Sequence, residues 1–156
     1  MFRQMRRFKQ QITDDECIEV LKSAPRGVMA LHGDDGYPYA VPLNYIYIDG
    51  CLYFHSAKVG HKTDAFMKDS KVSFCVLDEG RKIGDDWPLH FKSVIVFGRL
   101  SKVEDIKEMR EIVKTLGMKY ANNEEYVEKE IMGNIDRVAI LKLTVEHMTG
   151  KMVKES

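Results

Sequence analysis

The stretch YFHSAKVGHKTDAF, residues 53–66, crowds two histidines, a serine, two lysines and a glycine behind a strand-like start. A strand is expected to end at His55 and Ser56, a turn to pass Ala57 and Gly60, and a helix to begin near His61 and Lys62. A helix start offers free N–H groups and the positive end of the helix dipole, which together favour an anion, most often phosphate. Ser56 adds a hydroxyl donor, Lys62 a point charge and His61 a second donor. The set suits one phosphate group and is too small for a polynucleotide track. Taken alone, a solvated lysine and a capping serine account for the same letters.

The strand before it adds a second chemistry. AVPLNY, residues 40–45, places Asn44 and Tyr45 just ahead of a hairpin whose other arm ends at the anion site. Pro42 cannot donate to a sheet ladder, so it implies an edge, a bulge or a bend. A planar ring can lie there against backbone amides, held by Asn44. Phosphate plus a planar heteroaromatic is the outline of flavin mononucleotide (FMN) or pyridoxal phosphate. The plainer alternative leaves Asn44 and Tyr45 facing solvent on an edge strand.

These residues need elements to position them. TDDECIEVLKSA reads as a helix with Thr13 as N-cap and Glu16 completing a capping box. Cys17, Val20, Leu21 and Ala24 fall on one face of it, and Pro25 and Gly27 end it. GVMALH is a short apolar strand. YAVPLNYIYI, residues 39–48, and CLYFHS, residues 51–56, are expected to pair antiparallel around an Asp49-Gly50 turn. GHKTDAFMKD suits a short helix with Ala65, Phe66 and Met67 as its apolar side. KVSFCVLD and FKSVIVFGRLSKV are strands, and Gly98 in the second suggests a bulge or a close backbone approach. EDIKEMREIVKTLGMKYA is an amphipathic helix with Ile106, Met109, Ile112, Val113 and Leu116 in register. NEEYVEKEIM is a weaker helix, and VAILKLTVEHMTGK is the last strand. Hairpin-linked strands, a helical excursion and a returning strand give an α+β fold. About six strands with tight connections can close into a small barrel with flanking helices.

Composition narrows the partners. The 156 residues suit one domain and are enough for a core without staples. Lys plus Arg and Asp plus Glu both number 24, so no net field draws the chain to nucleic acid or to a membrane. The basic start MFRQMRRFKQQ is followed by no long apolar run, so neither a secretory signal nor a membrane span is expected. Cys17, Cys51 and Cys75 are odd in number, lack CxxC spacing, and suit buried thiols in a reducing cytoplasm. His32, His90 and His147 show no metal-site spacing, so no metal is expected. Trp87 in the polar loop EGRKIGDDWPLH reads either as a ring cover or as a local packing anchor.

In order and type, these motifs resemble the flavin-binding split-barrel superfamily that contains pyridoxamine 5′-phosphate oxidase, and most closely its nitroimidazole-resistance-like proteins. The residues carrying the resemblance are RRFKQQITDDECIEVLKSAPRGVMAL, DGYPYAVPLNYIYIDGCLYFHSAKVGHKTDAF, KSVIVFGRLSKVED and the closing HMTGK. It implies an antiparallel split β-barrel of residues 1–156 that binds FMN. Ala40, Val41, Pro42, Leu43, Asn44 and Tyr45 would line the isoalloxazine, largely through backbone. His55 and Ser56 would sit by the ribityl-phosphate, with Ala57 and Gly60 in the turn that follows. His61 and Lys62 align with an Arg-Lys pair that binds phosphate, and Ser93 aligns with a glutamine that contacts flavin. The resemblance also implies a homodimer with the cofactor at its interface. His61 in place of arginine implies a weaker, pH-dependent hold on phosphate. The C-terminal Trp and Arg that read a vitamin B6 phosphate have no counterpart, which argues against that oxidase activity.

Two function classes follow. One is an FMN-dependent oxidoreductase passing electrons from a nicotinamide donor to a small planar acceptor, such as a nitro-aromatic. The other is a non-catalytic protein that carries or senses flavin, haem or pyridoxal phosphate on the same fold.

Overall fold

The computed structural model describes residues 1–85 and 87–153. Helix α1 spans Asp14–Ser23 and is followed by strands β1 (Arg26–His32), β2 (Pro38–Asn44), β3 (Ile46–Ile48) and β4 (Cys51–Ala57). Helix α2 (His61–Lys68) leads to β5 (Lys71–Leu77) and β6 (Phe91–Lys102). Helices α3 (Ile106–Tyr120) and α4 (Glu124–Asn134) form an excursion before β7 (Val138–Val153). All strand pairs are antiparallel, in one seven-stranded sheet of order β2-β1-β5-β6-β7-β4-β3. The class is α+β, as expected.

That order explains the shape. β2 and β3 lie at opposite edges of the sheet, yet only Tyr45 separates them in the chain. The sheet must therefore curl until its edges meet, and it forms a half-barrel. The expected continuous strand over residues 39–48 is thus two strands, and the count is seven instead of about six. Only Ile46–Ile48 pairs with β4, while β2 runs along β1 with Pro42 opposite Val28. β2 is an edge strand, so the missing N–H of Pro42 is tolerated there, as its presence suggested. Asp49 and Gly50, with φ of 45° and 80°, make the tight turn between β3 and β4.

Alternation fills the inside of the curl. Met29, Leu52, Phe54, Phe74, Val96 and Leu143 are fully buried, and the Phe74 ring meets both Tyr45 and Phe54 edge-on at 5.0 Å. α1 starts with the expected capping box, in which the Thr13 hydroxyl accepts from the Glu16 N–H and the Glu16 carboxylate accepts from the Thr13 N–H. It buries Cys17, Val20 and Leu21 against this core, with Ala24 at its C-cap. α3 packs outside, where Ile112 meets Tyr53, Val103 and Ile140. Three exposures differ from expectation. Met67 and Ile106 face solvent because each lies off the stripe that its helix turns to the sheet, and Trp87, 93% exposed, is not a local packing anchor. Gly98 fulfils both of its readings. The β6–β7 register shifts between Phe97 and Gly98, and a Cβ at Gly98 would fall 2.1 Å from the Thr144 carbonyl oxygen.

The break at Tyr45 is held by the end of α3. The Tyr120 hydroxyl accepts from the Tyr45 N–H at 3.1 Å and lies against the carbonyl oxygens of Tyr45 and Pro25. The Lys119 ammonium donates to the carbonyls of Ala24 at 2.8 Å and Tyr45 at 3.1 Å, and lies 4.0 Å over the Tyr45 ring. Burial brings the Lys119 pKa down to about 8. These groups replace the ladder bonds that a residue between two strands must lose. Tyr120→Phe leaves that backbone without its partner and is expected to cost about 1–3 kcal/mol in urea unfolding. An unchanged midpoint would mean that water serves the corner equally well.

Candidate functional site

The residues singled out from the sequence fall into three places. The first is the end of β4 and the start of α2. Ser56 is buried and its hydroxyl makes no hydrogen bond to a described residue. The Thr63 hydroxyl donates to the Ala57 carbonyl at 3.3 Å and ties the first turn of α2 back to the strand end. Gly60 takes φ of 133° at the N-cap and offers no side-chain cap, so the first amides of α2 keep their open direction.

Lys62 is half-buried in this corner, and no carboxylate among the described residues pairs with it. Burial alone pushes its pKa down. The His55 imidazole also makes no hydrogen bond to a described residue. Its pKa is lowered first by burial and then by the charge of Lys62. A desolvated cation in an open helix first turn, with no protein anion among the described residues to balance it, is the donor set that an anionic group completes. The corner therefore fits a single phosphate.

His61 is arranged differently from its sequence neighbour. Its ring stacks on Tyr39 of β2 with centroids 4.0 Å apart, and its Nε2 lies 3.7 Å from the Asp34 carboxylate. This contact brings the start of α2 against β2, so the two arms suggested by the sequence are neighbours in space.

The second place is β2 itself. Ala40, Pro42 and Asn44 lie exposed on the outer face, while Val41, Leu43 and Tyr45 turn inward. Any ring lying on this strand meets Val41, Leu43 and Tyr45 through backbone only. As an edge strand, β2 keeps one row of backbone groups outside the ladder. Tyr45 is fully buried and its hydroxyl has no partner among the described residues, so it does not face solvent, the plainer reading of the sequence.

The third place is Ser93 on β6, on the same side of the sheet as Ile95 and Phe97 but buried, three strand spacings from β2. At about 4.8 Å per strand that is roughly 14 Å. One copy of the chain does not bring Ser93 to a ring resting on β2. Between them the outer face is apolar, with Val28, Ile95 and Phe97 exposed by 38%, 41% and 39%.

The other histidines are apart from these places. His32 lies 3.7 Å from Asp69 at the surface, and His147 stacks on Phe2 at 4.5 Å. Both ring nitrogens of His90 are buried without a partner among the described residues. No cluster among the described residues has the make-up of a metal site, and no helix among them is long and apolar enough to cross a membrane. Sequence reading missed Tyr39, Lys119 and Tyr120. For the last two a signal existed: they continue the core-facing stripe of Ile112 and Leu116, where a lysine is out of place unless it has carbonyls to serve.

A family model described as pyridoxamine 5′-phosphate oxidase matches residues 13–152. No curated protein matches the chain. Among solved structures, a candidate 5-nitroimidazole antibiotic resistance protein from Bacteroides thetaiotaomicron is 21% identical, with a TM-score of 0.77 over 91% of this chain and 86% of its own. An FAD-binding protein from Mesorhizobium loti is 25% identical, with a TM-score of 0.66 over 93% of this chain and 98% of its own. An FAD- and haem-binding protein from Mycobacterium smegmatis is 15% identical, with a TM-score of 0.75 over 94% of this chain and 74% of its own. The half-barrel is thus a split barrel, shared with proteins that bind flavins.

The unbalanced charge of Lys62 has a measurable consequence in the ligand-free protein. Its folded pKa lies below the unfolded value of about 10.4, so the unfolded state holds the proton more tightly. Stability then rises as pH climbs from the folded value towards the unfolded one. Lys62→Met is expected to remove that rise and to leave stability at pH 7 unchanged or higher. A loss of more than about 1 kcal/mol at pH 7 would mean that Lys62 has a structural partner.

Proposed function

The chain belongs to the pyridoxamine 5′-phosphate oxidase family, and from that premise we propose that it binds FMN as a homodimer and acts as a flavin-dependent oxidoreductase on a small planar acceptor. The observation that carries this reading is the desolvated, uncompensated Lys62 in the open first turn of α2. The flavins named for the Mesorhizobium and Mycobacterium proteins support the same class of ligand.

In this reading the amides of His61 and Lys62 and the Ser56 hydroxyl donate to the phosphate, and the Lys62 ammonium balances its charge. Ala57 and Gly60 keep the approach free of side-chain bulk. His61, stacked on Tyr39, fixes the start of α2 against β2. The ring lies along residues 40–45, met by backbone groups and by the Asn44 amide. Bound flavin supplies hydride and electron transfer, while the protein orients it and limits access. A nicotinamide is the electron donor in this reading, and nitro-aromatics are a fitting acceptor class.

The dimer in this reading is supported by the roughly 14 Å between Ser93, which the resemblance sets at the flavin, and β2 on one apolar face. A two-fold partner laid on that face sets Ser93 of one copy over β2 of the other, and buries Val28, Ile95 and Phe97. Three free thiols and a balanced charge suit a cytoplasmic location.

Purified protein mixed with FMN and desalted is expected to stay yellow, and NADH or NADPH to bleach it without air. Ile95→Asp is expected to give a monomer in sedimentation and to lower flavin retention at least tenfold. Colour that no nicotinamide bleaches would turn the reading to a non-catalytic carrier. A colourless wild type would end the flavin reading and bring haem and pyridoxal phosphate forward.

A further inference from the structure

Trp87 is the large side chain that the single chain leaves most open. It belongs to the tip of the β5–β6 hairpin, where Ile83 and Leu89 are exposed too. The base of that hairpin is well held. The Asp78 carboxylate accepts from the Gly80 N–H at 3.1 Å and from the Lys92 N–H at 2.8 Å. Arg81 and His90 then exchange backbone hydrogen bonds of 2.7 and 2.9 Å. This bonded base carries the tip beyond the Leu77–Ser93 pair that ends the β5–β6 ladder. A tryptophan held out in this way keeps its large apolar surface free for another molecule.

The sheet register says where the tip falls in a pair of chains. Arg26 pairs with Asn44 of β2, Val28 with Cys75 of β5, and Leu77 with Ser93 of β6. The Asn44 end of β2 and the hairpin base are therefore at the same end of the sheet. A face-to-face two-fold pair sets Ser93 over β2 of the other copy, three strands away, when its axis runs along the strands. That rotation exchanges the two sides of the sheet and keeps each strand end where it was. An axis across the strands would instead set β6 on β6 with the ends reversed. With the axis along the strands, the tip that extends past Ser93 lies beside Asn44 of the other copy.

We propose that the β5–β6 tip of each chain crosses to the second copy and lays the Trp87 indole on the flavin ring held along residues 40–45 of that copy. This rests on the FMN homodimer proposed above, and it adds the group that closes the open side of the ring. Aromatic faces stack favourably, and a ring closed by an indole admits flat acceptors in preference to bulky ones. Of the two sequence readings of Trp87, this arrangement uses the ring cover.

Trp87 is the only tryptophan, so its indole signal needs no assignment. Sedimentation and the absorbance of desalted, FMN-loaded protein first establish the dimer and its flavin. In that protein the indole Nε1–H resonance is expected to move upfield on FMN binding. Acrylamide is expected to quench Trp87 several-fold less than in the Ile95→Asp monomer. Trp87→Ala is expected to lose FMN affinity about tenfold, and Trp87→Phe to recover most of it. A yellow dimer whose indole resonance does not respond to FMN overturns this proposal alone. So does a Trp87→Ala variant that binds FMN as tightly as wild type. An Ile95→Asp monomer whose indole responds to excess FMN as the dimer's does overturns it as well, because the cover would then lie within one chain. A wild type that is monomeric or retains no flavin overturns it together with the reading it rests on.

Discussion

A strand that leaves one sheet edge and joins the opposite edge one residue later forces the sheet to close on itself. Tyr45 is that residue here, and the rest of the architecture is arranged around it. Its ring fills the centre of the core against Phe74 and Phe54. Its backbone groups, which belong to neither ladder, are taken up by Tyr120 and Lys119 from the end of α3. The helical excursion between β6 and β7 is thereby tied to the strand break that shapes the barrel. Losing the α3 contacts would loosen the edge strand on which the proposed ring rests.

The same constraint sorts the chemistry. Because side chains alternate across a strand, His55 and Ser56 cannot share one surroundings, although they are adjacent. Ser56 serves the barrel side and α2, and His55 serves the helical side. Lys62 stands in a half-buried position that no carboxylate of the described chain balances. Proteins avoid such charges unless something completes them, and the open first turn of α2 is where an anion can do so.

Local signals were legible in the sequence. The capping box of α1, the Asp49-Gly50 turn and the irregularity at Gly98 each depend on a few neighbouring letters, and each is found. The anion corner was legible for a similar reason: Ser56, Gly60 and Lys62 lie within one strand-turn-helix unit. The break at Tyr45 was not legible. YAVPLNYIYI carries no glycine or turn pair, and the groups that stabilise its interruption lie about 75 residues downstream. The partner of β2 was missed with it. The orientation of His61 depends on Tyr39 and Asp34, which a reading confined to residues 53–66 does not bring to that helix. The exposure of Trp87 follows from a loop whose path no local pattern fixes.

The central claim is that the Lys62 corner holds the phosphate of a flavin. Calorimetric titration with FMN and with riboflavin, which lacks only the phosphate, tests it most directly. The account predicts that wild-type protein binds FMN at least a hundredfold more tightly than riboflavin, and that Lys62→Ala narrows that ratio by tenfold or more. Equal affinities for the two in wild-type protein would contradict it, because the corner would then contribute nothing to recognising the phosphate.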